Sequence, residues 1–372
     1  GAVDVMTDLL DVPPGLDGVV AVTTAVGDVL GEEGRFHYRG HDATELARHQ
    51  TVEAVRHLLL RGSLPSVGAD DEVAADRQVP GPILELLPGV VDVHRNGGPL
   101  DVLRSTISLA GAHLGSESWL DSGPDRLRTD LERLAAMTAT LVAASHRLVD
   151  GRTPVEPDPD RSLAADYLRM LTGQEPSAAA EAAISAYLIL TMDHGSNAST
   201  FAARVITSTA ADPAAALVGA IGAMSGPLHG GAPSRALDML DAIGEADRAG
   251  EWIDDALARG ERLMGFGHRV YRTDDPRAAL LREIAIELGG PLVDLGLAVE
   301  EVALERLARK SPGRALRTNV EYWAGVVMAS VGVARELFTP TFVVARMHGW
   351  SAHIIEQAEG NRLIRPASRY VG

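Results

Sequence analysis

The chain has 372 residues, 46% hydrophobic and 23% charged, which is the balance of a soluble globular protein, and its length argues for two domains. A formal net charge of −17 would repel a phosphate backbone and argues against nucleic acid as a partner. Cysteine is absent, which removes disulfides, a thiol nucleophile and thiolate metal sites. Aromatic residues make up only 4%, so the core must be built from Ala, Leu, Val and Ile.

Arginine supplies almost all the basic charge, Lys310 being the one lysine. The opening Gly1-Ala2-Val3-Asp4 lacks the basic and apolar regions of a signal peptide. The longest uncharged window, Pro213 to Ser234, is interrupted by prolines and glycines, which suits a buried helix running into a loop better than a membrane span. A cytoplasmic location is expected.

In chain order, the β-branched run Val19–Thr24 reads as a strand. Gly31-Glu32-Glu33-Gly34 reads as a turn and Arg35-Phe36-His37-Tyr38 as a second strand. From there the period becomes helical. Val52, Val55 and Leu59 form one stripe, and Leu131, Leu134, Leu141, Val142 and Leu148 mark a longer helix. Asp150–Asp160, with Pro154, Pro157 and Pro159, is a surface connection.

Residues 177–190 form an Ala-rich helix. Asp212-Pro213 and Asp275-Pro276 each place an N-cap before Pro at the first helical position, opening helices that end at Gly226 and at Gly289-Gly290. Asn319–Glu359 is helical again, with breaks expected around Pro340 and Gly349. No βαβ alternation is visible, and the fold class is mainly α.

Two stretches each hold a histidine between glycines: Gly226-Pro227-Leu228-His229-Gly230-Gly231-Ala232 and Gly265-Phe266-Gly267-His268-Arg269-Val270-Tyr271-Arg272. Glycine lets backbone approach a ligand without Cβ obstruction, and imidazole is the side chain best suited to moving protons near neutral pH. His194 follows a helix in Asp193-His194-Gly195-Ser196-Asn197. Arg277 sits at the second position of a helix, an unfavourable end of the dipole for a cation, which points to a purpose other than helix stability. Arg346 and Arg365 follow near the C-terminus. Histidines and arginines without metal-ligand spacing suggest an anionic substrate and a polarised carbonyl or thioester, with a carboxylate base still to be named. Neither a dinucleotide-binding Gly-x-Gly-x-x-Gly after a strand, a phosphate loop nor a His-Glu-x-x-His motif is present, so no nucleotide cofactor and no metal are expected.

Asn197-Ala198-Ser199-Thr200, the two histidine stretches, Asp275-Pro276-Arg277 and Asn319-Val320-Glu321-Tyr322 occur in an order and spacing that resemble the citrate synthase family. Tyr38-Arg39-Gly40-His41-Asp42 is similar to the family's Tyr-Arg-Gly segment, and the likeness runs from about Gly18 to Arg369. It is to the shorter bacterial type, which includes citrate and 2-methylcitrate synthases.

The resemblance implies an all-α homodimer with a short N-terminal β-hairpin and two domains that close over the substrates. The large domain would be residues 1–230 with 336–372, and the small domain 231–335. It also implies condensation of acetyl-CoA with oxaloacetate, an acyl transfer of the tricarboxylic acid cycle, followed by hydrolysis of citryl-CoA. His229 would hydrogen-bond the thioester oxygen, and His268 would polarise and protonate the ketone. His194, Asn197, Arg277, Arg346 and, from the other subunit, Arg365 would hold oxaloacetate, while Arg272 would meet CoA phosphates. No cofactor is implied, acetyl-CoA being a substrate.

One position departs from the family. Its base is an aspartate in Asn-Val-Asp, and here Glu321 stands there. The added methylene displaces the carboxylate, and a misplacement of ~1 Å can cost about 100-fold in rate. Two alternatives therefore stand beside the acetyl-CoA reading. One is a 2-methylcitrate synthase using propionyl-CoA, and the other is a weakened paralogue that binds acyl-CoA or oxaloacetate. His37, His41, His94, His113 and His348 read as surface or satisfied core residues.

Overall fold

A computed structural model describes residues 9–66, 76–229 and 232–372, the side chains of the last stretch from residue 234 onward. Gly1–Asp4, and Gly230 and Gly231 of the His229 motif, lie outside the described residues.

The N-terminal hairpin pairs β1 (Gly27–Leu30) antiparallel with β2 (Arg35–Tyr38), with Val29 opposite Phe36. A short β3 (His41–Asp42) extends the sheet on the other side of β2. The turn falls at Gly31–Gly34 as expected. The strand expected over Val19–Thr24 is absent; the backbone there runs as a loop. Strand propensity reflects packing of a half-buried face, and Val20 is 83% exposed. The end of this segment is held by a helix, the Ala25 N–H donating to Glu356 Oε2 at 2.8 Å.

Among the described residues, the other regular elements are helices. The first group is α1 (Ala43–His49), α2 (Val52–Arg61), α3 (Gly81–Val93), α4 (Pro99–His113) and α5 (Trp119–Val149). Next come α6 (Leu163–Thr172), α7 (Ala178–Leu190), α8 (Ala198–Ser208) and α9 (Pro213–Met224). After the His229 loop follow α10 (Ala232–Ile243), α11 (Ala249–Ala258), α12 (Pro276–Leu288), α13 (Pro291–Lys310) and α14 (Val320–Ser330). The last is α15 (Phe338–Glu359).

The Asp-Pro starts behave as read. Asp212 caps α9 through the Ala215 N–H, and Asp275 caps α12 through the Arg277 N–H.

The breaks expected at Pro340 and Gly349 are not there. The interruption lies at residues 331–337, and α15 runs through both residues. Pro340 is the third residue of that helix, where a backbone N–H has no intrahelical acceptor to lose. Gly349 serves packing instead: a Cβ there would lie 2.0 Å from the carbonyl oxygen of Met192. Gly349→Ala must therefore push α15 away from the turn that carries His194. We expect it to cost about 1–3 kcal/mol of stability, read from the denaturant midpoint.

Almost the whole of α15 is buried, and it packs against α2, α5, α8 and α9. α14 packs against α10, α12 and α13, while α12 also meets α7. Between them the backbone of the second histidine stretch is tied to the start of α14. Gly267 N–H donates to Arg317 O at 2.7 Å, and Asn319 N–H to Gly265 O at 2.9 Å. The hairpin turn closes on the same stretch, because Arg272 N–H donates to Gly31 O at 3.1 Å.

Candidate active site

His194 sits in the turn after α7, where Gly195 takes a φ of +69°. Its ring meets the edges of Phe36 at 5.4 Å and His268 at 5.9 Å, and its Nε2 lies 2.8 Å from the Tyr271 hydroxyl. Burial, then the positive charges of Arg277 and Arg346, hold its pKa well below the usual histidine value. The ring is neutral at physiological pH.

His268 has a defined tautomer. Its Nδ1 accepts the backbone N–H groups of Val270 at 2.9 Å and Tyr271 at 3.1 Å. A backbone amide can only donate, so the ring proton is on Nε2. Burial first, then Arg277, lowers its pKa to about 4. His268 Nε2 lies 3.3 Å from Arg277 Nη2. Neither of these donors can accept from the other, so both are available to one acceptor between them.

Arg277 is buried and doubly held by Asp275, Nε to Oδ1 at 3.1 Å and Nη2 to Oδ2 at 3.0 Å. The same carboxylate accepts the Val320 N–H at the start of α14 at 3.1 Å. Asp275 thus fixes the cation and the helix carrying Glu321 together, which explains a cation tolerated at the N-terminus of α12. Arg346 comes from α15, is 2% exposed, donates from Nε to Thr191 O at 2.9 Å, and lies 4.7 Å from the centre of the Phe342 ring. Burial lowers its pKa below the usual arginine value.

His229 leans on the N-terminus of α8. Its Nε2 is 3.3 Å from the Ser199 N–H and 2.8 Å from Ser199 Oγ. The amide donates, which leaves the proton on Nδ1. Ser199 Oγ also accepts from Trp350 Nε1 at 3.1 Å. Burial and then Arg346 depress the His229 pKa. A positive helix N-terminus favours the neutral ring in the same direction. Asn197 caps α8, its Oδ1 accepting the Thr200 N–H at 3.0 Å and lying 2.8 Å from Ser199 Oγ, whose one hydroxyl proton it shares with His229 Nε2. Its carboxamide oxygen is thus committed to placing Ser199.

Glu321 is the second residue of α14, with its N–H taken by Asn319 Oδ1 at 3.1 Å. Burial raises its pKa from 4.5, while Arg277 and Arg262 pull it back. A partly buried carboxylate with a raised pKa, within the field of a buried cation, is suited to taking a proton near neutral pH.

The remaining sequence-predicted residues are apart from this cluster. Arg272 is 67% exposed and lies 3.9 Å from Glu32 of the hairpin turn. Arg365 is exposed on the extended C-terminal segment. Of the histidines set aside, His94 is satisfied by Val90 O at 2.7 Å and Ser105 Oγ at 2.9 Å. His348 is fully buried, and neither ring nitrogen has a partner among the described residues, so it is not the satisfied core residue expected. Burial pushes its pKa down to about 3.

Sequence reading missed Tyr271, Ser199 and Trp350 as site residues and saw Asp275 only as a cap. Tyr271 and Ser199 stood inside motifs already quoted, while Trp350 carried no local signal.

The family model described as "Citrate synthase, C-terminal domain" matches residues 15–367. The chain is 40% identical over 364 residues to the putative citrate synthase 2 of Mycobacterium tuberculosis, covering 96% of this chain and 92% of that protein. It is 38% identical to the 2-methylcitrate synthase of the same species, covering 97% and 91%. Among solved structures, the citrate synthase of Thermoplasma acidophilum in ternary complex with carboxymethyl coenzyme A and oxaloacetate is 27% identical with a TM-score of 0.86, covering 97% of this chain and 96% of that one. A buried histidine–arginine cluster on a helical fold and a match along nearly the whole sequence agree: the chain belongs to the citrate synthase family.

Proposed function

We propose that this protein is a citrate synthase that condenses acetyl-CoA with oxaloacetate and hydrolyses citryl-CoA. The observation that carries this reading is the His268 tautomer: backbone amides hold Nδ1 as an acceptor, so Nε2–H points as a donor beside Arg277. Glu321 takes a proton from the acetyl methyl, and His229 Nδ1–H hydrogen-bonds the thioester oxygen of the enolate that forms. The enolate carbon attacks the ketone carbon of oxaloacetate as the ketone oxygen takes the His268 Nε2 proton, which solvent later replaces. Water then cleaves the thioester and frees CoA. Arg277 and Arg346 bind the carboxylates, joined by His194 through its ring nitrogen not facing Tyr271. Asn197 acts through the cap that places Ser199, and Arg272 meets CoA phosphates.

Exposure of Arg365 on an extended terminus supports its insertion into a second subunit's site, and hence a homodimer. Closure of residues 231–335 over the remainder would exclude water from the thioester. The reaction requires no cofactor. Among the described residues no helix is long and apolar enough to cross a membrane, and a cytoplasmic setting fits the substrates.

Acetyl-CoA is favoured over propionyl-CoA because the Glu321 carboxylate, carried a methylene further than aspartate, leaves less room beside the α-carbon. One methylene in a pocket is worth ~1–3 kcal/mol. The test is CoA release followed with a thiol reagent, to which a protein without cysteine contributes no background. Turnover with acetyl-CoA should exceed that with propionyl-CoA about tenfold or more. Faster turnover with propionyl-CoA would identify a 2-methylcitrate synthase. Oxaloacetate binding with no turnover of either thioester would identify the weakened paralogue.

A further inference from the structure

Asp193, the neighbour of His194, enters a buried chain of polar groups that the reaction itself does not use. His353 Nε2 lies 2.9 Å from Asp193 Oδ1. On the other side of the imidazole, Arg204 Nη2 and Nε lie 2.8 and 3.1 Å from His353 Nδ1. Guanidinium only donates, so Nδ1 accepts and Nε2–H donates to Asp193. Arg204 continues into Glu356 and reaches Gln357 Oε1 at 3.1 Å, while Glu356 takes the Ala25 N–H. Asp193, His353 and Arg204 are each 2% exposed. Groups so buried hold one arrangement, because any other leaves a charge unpaired.

Asp193 has little freedom of its own. Its N–H donates to the Tyr38 hydroxyl at 3.3 Å, and a Cβ on Gly27 would lie 2.7 Å from its Oδ2. One carboxylate therefore joins the His194 turn to the His353–Arg204 pair.

We propose that Asp193–His353–Arg204–Glu356 is a positioning relay that sets oxaloacetate affinity by fixing the His194 turn, with His353 as its central positioning residue. This rests on the reading that His194 binds oxaloacetate. His353 touches no reacting atom; it acts through Asp193.

The test uses the full-length protein and three forms: wild type, His353→Leu, and His353→Gln, whose amide supplies one donor for Asp193 and one acceptor for Arg204. Oxaloacetate binding is measured by calorimetry, and both KM values and kcat by CoA release. His353→Leu should weaken oxaloacetate binding and raise its KM about tenfold or more, while the acetyl-CoA KM stays within about twofold. His353→Gln should recover most of that loss. Equal losses in both KM values, or a Gln form no better than the Leu form at matched melting temperature, would overturn the relay while leaving the enzyme intact. If His353→Leu does not fold, the Gln form decides alone: near-normal oxaloacetate affinity supports the relay, and a tenfold loss overturns it. Failure of the wild type to bind oxaloacetate would instead overturn the functional reading and the relay with it.

Discussion

Glu321→Gln should lower kcat about 1,000-fold, within the range of 10²–10⁴ that a positioned general base contributes, and leave the KM for oxaloacetate nearly unchanged. Gln keeps the side-chain length and hydrogen-bonding capacity but not the basic lone pair, so the loss reports proton abstraction. Glu321→Asp is the companion. It restores the residue type of the family motif yet withdraws the carboxylate by a methylene from a backbone tied down by Asn319 and Asp275. We expect it to remain well below the wild type, by up to about 100-fold. The pH dependence has a definite sign. Burial raises the Glu321 pKa above 4.5, and the base works only when ionised, so kcat must fall as pH drops through that raised value. Retention of wild-type kcat within about tenfold by the Gln form would show that another group is the base.

How much of this was legible in the sequence depended on how local each cause was. The Asp-Pro starts of α9 and α12 needed only neighbouring residues, and both appeared where expected. Val19–Thr24 looked like a strand because β-branched residues favour pleated surfaces, but no strand among the described residues pairs with the segment to create one. Pro340 and Gly349 looked like breaks because their cost is usually paid in an isolated helix. In α15 the proline sits where no acceptor is lost, and the glycine admits the Met192 carbonyl.

The site divides in the same way. His229 and His268 were visible as histidines among glycines, whereas their tautomers were not, because those depend on amides of Ser199, Val270 and Tyr271 that only folding brings to one ring nitrogen. Trp350 bonds Ser199 across 151 residues, and His353 bonds Asp193 across 160. Separations of that size leave no periodic or spacing signal. Arg365 is the converse case: the resemblance gave it a role at a second subunit's site, and the fold of one chain leaves it exposed.

His268→Ala should lower kcat about 100- to 1,000-fold, the usual consequence of removing one donor aimed at a developing oxyanion. Arg277 remains held by Asp275 in this variant, so oxaloacetate still binds and its KM should change far less than kcat. His268→Gln, which returns an uncharged N–H donor, should recover part of the loss; an Ala form as active as the Gln form would mean that the donor is not used. The protonation state gives a second, independent check. With its pKa lowered to about 4 by burial and by Arg277, His268 is neutral at any pH well above that value. Histidine NMR of labelled protein should therefore show His268 keeping its Nε2–H tautomer from pH ~8 down to pH ~5, with no titration near the ordinary histidine value of ~6.5. A ring that took up a second proton near neutral pH would be an imidazolium facing Arg277. Two cations at that spacing repel, and the ketone would then be polarised by charge rather than by a fixed neutral donor. The backbone amides of Val270 and Tyr271 work against that outcome, because they occupy the nitrogen the second proton would need.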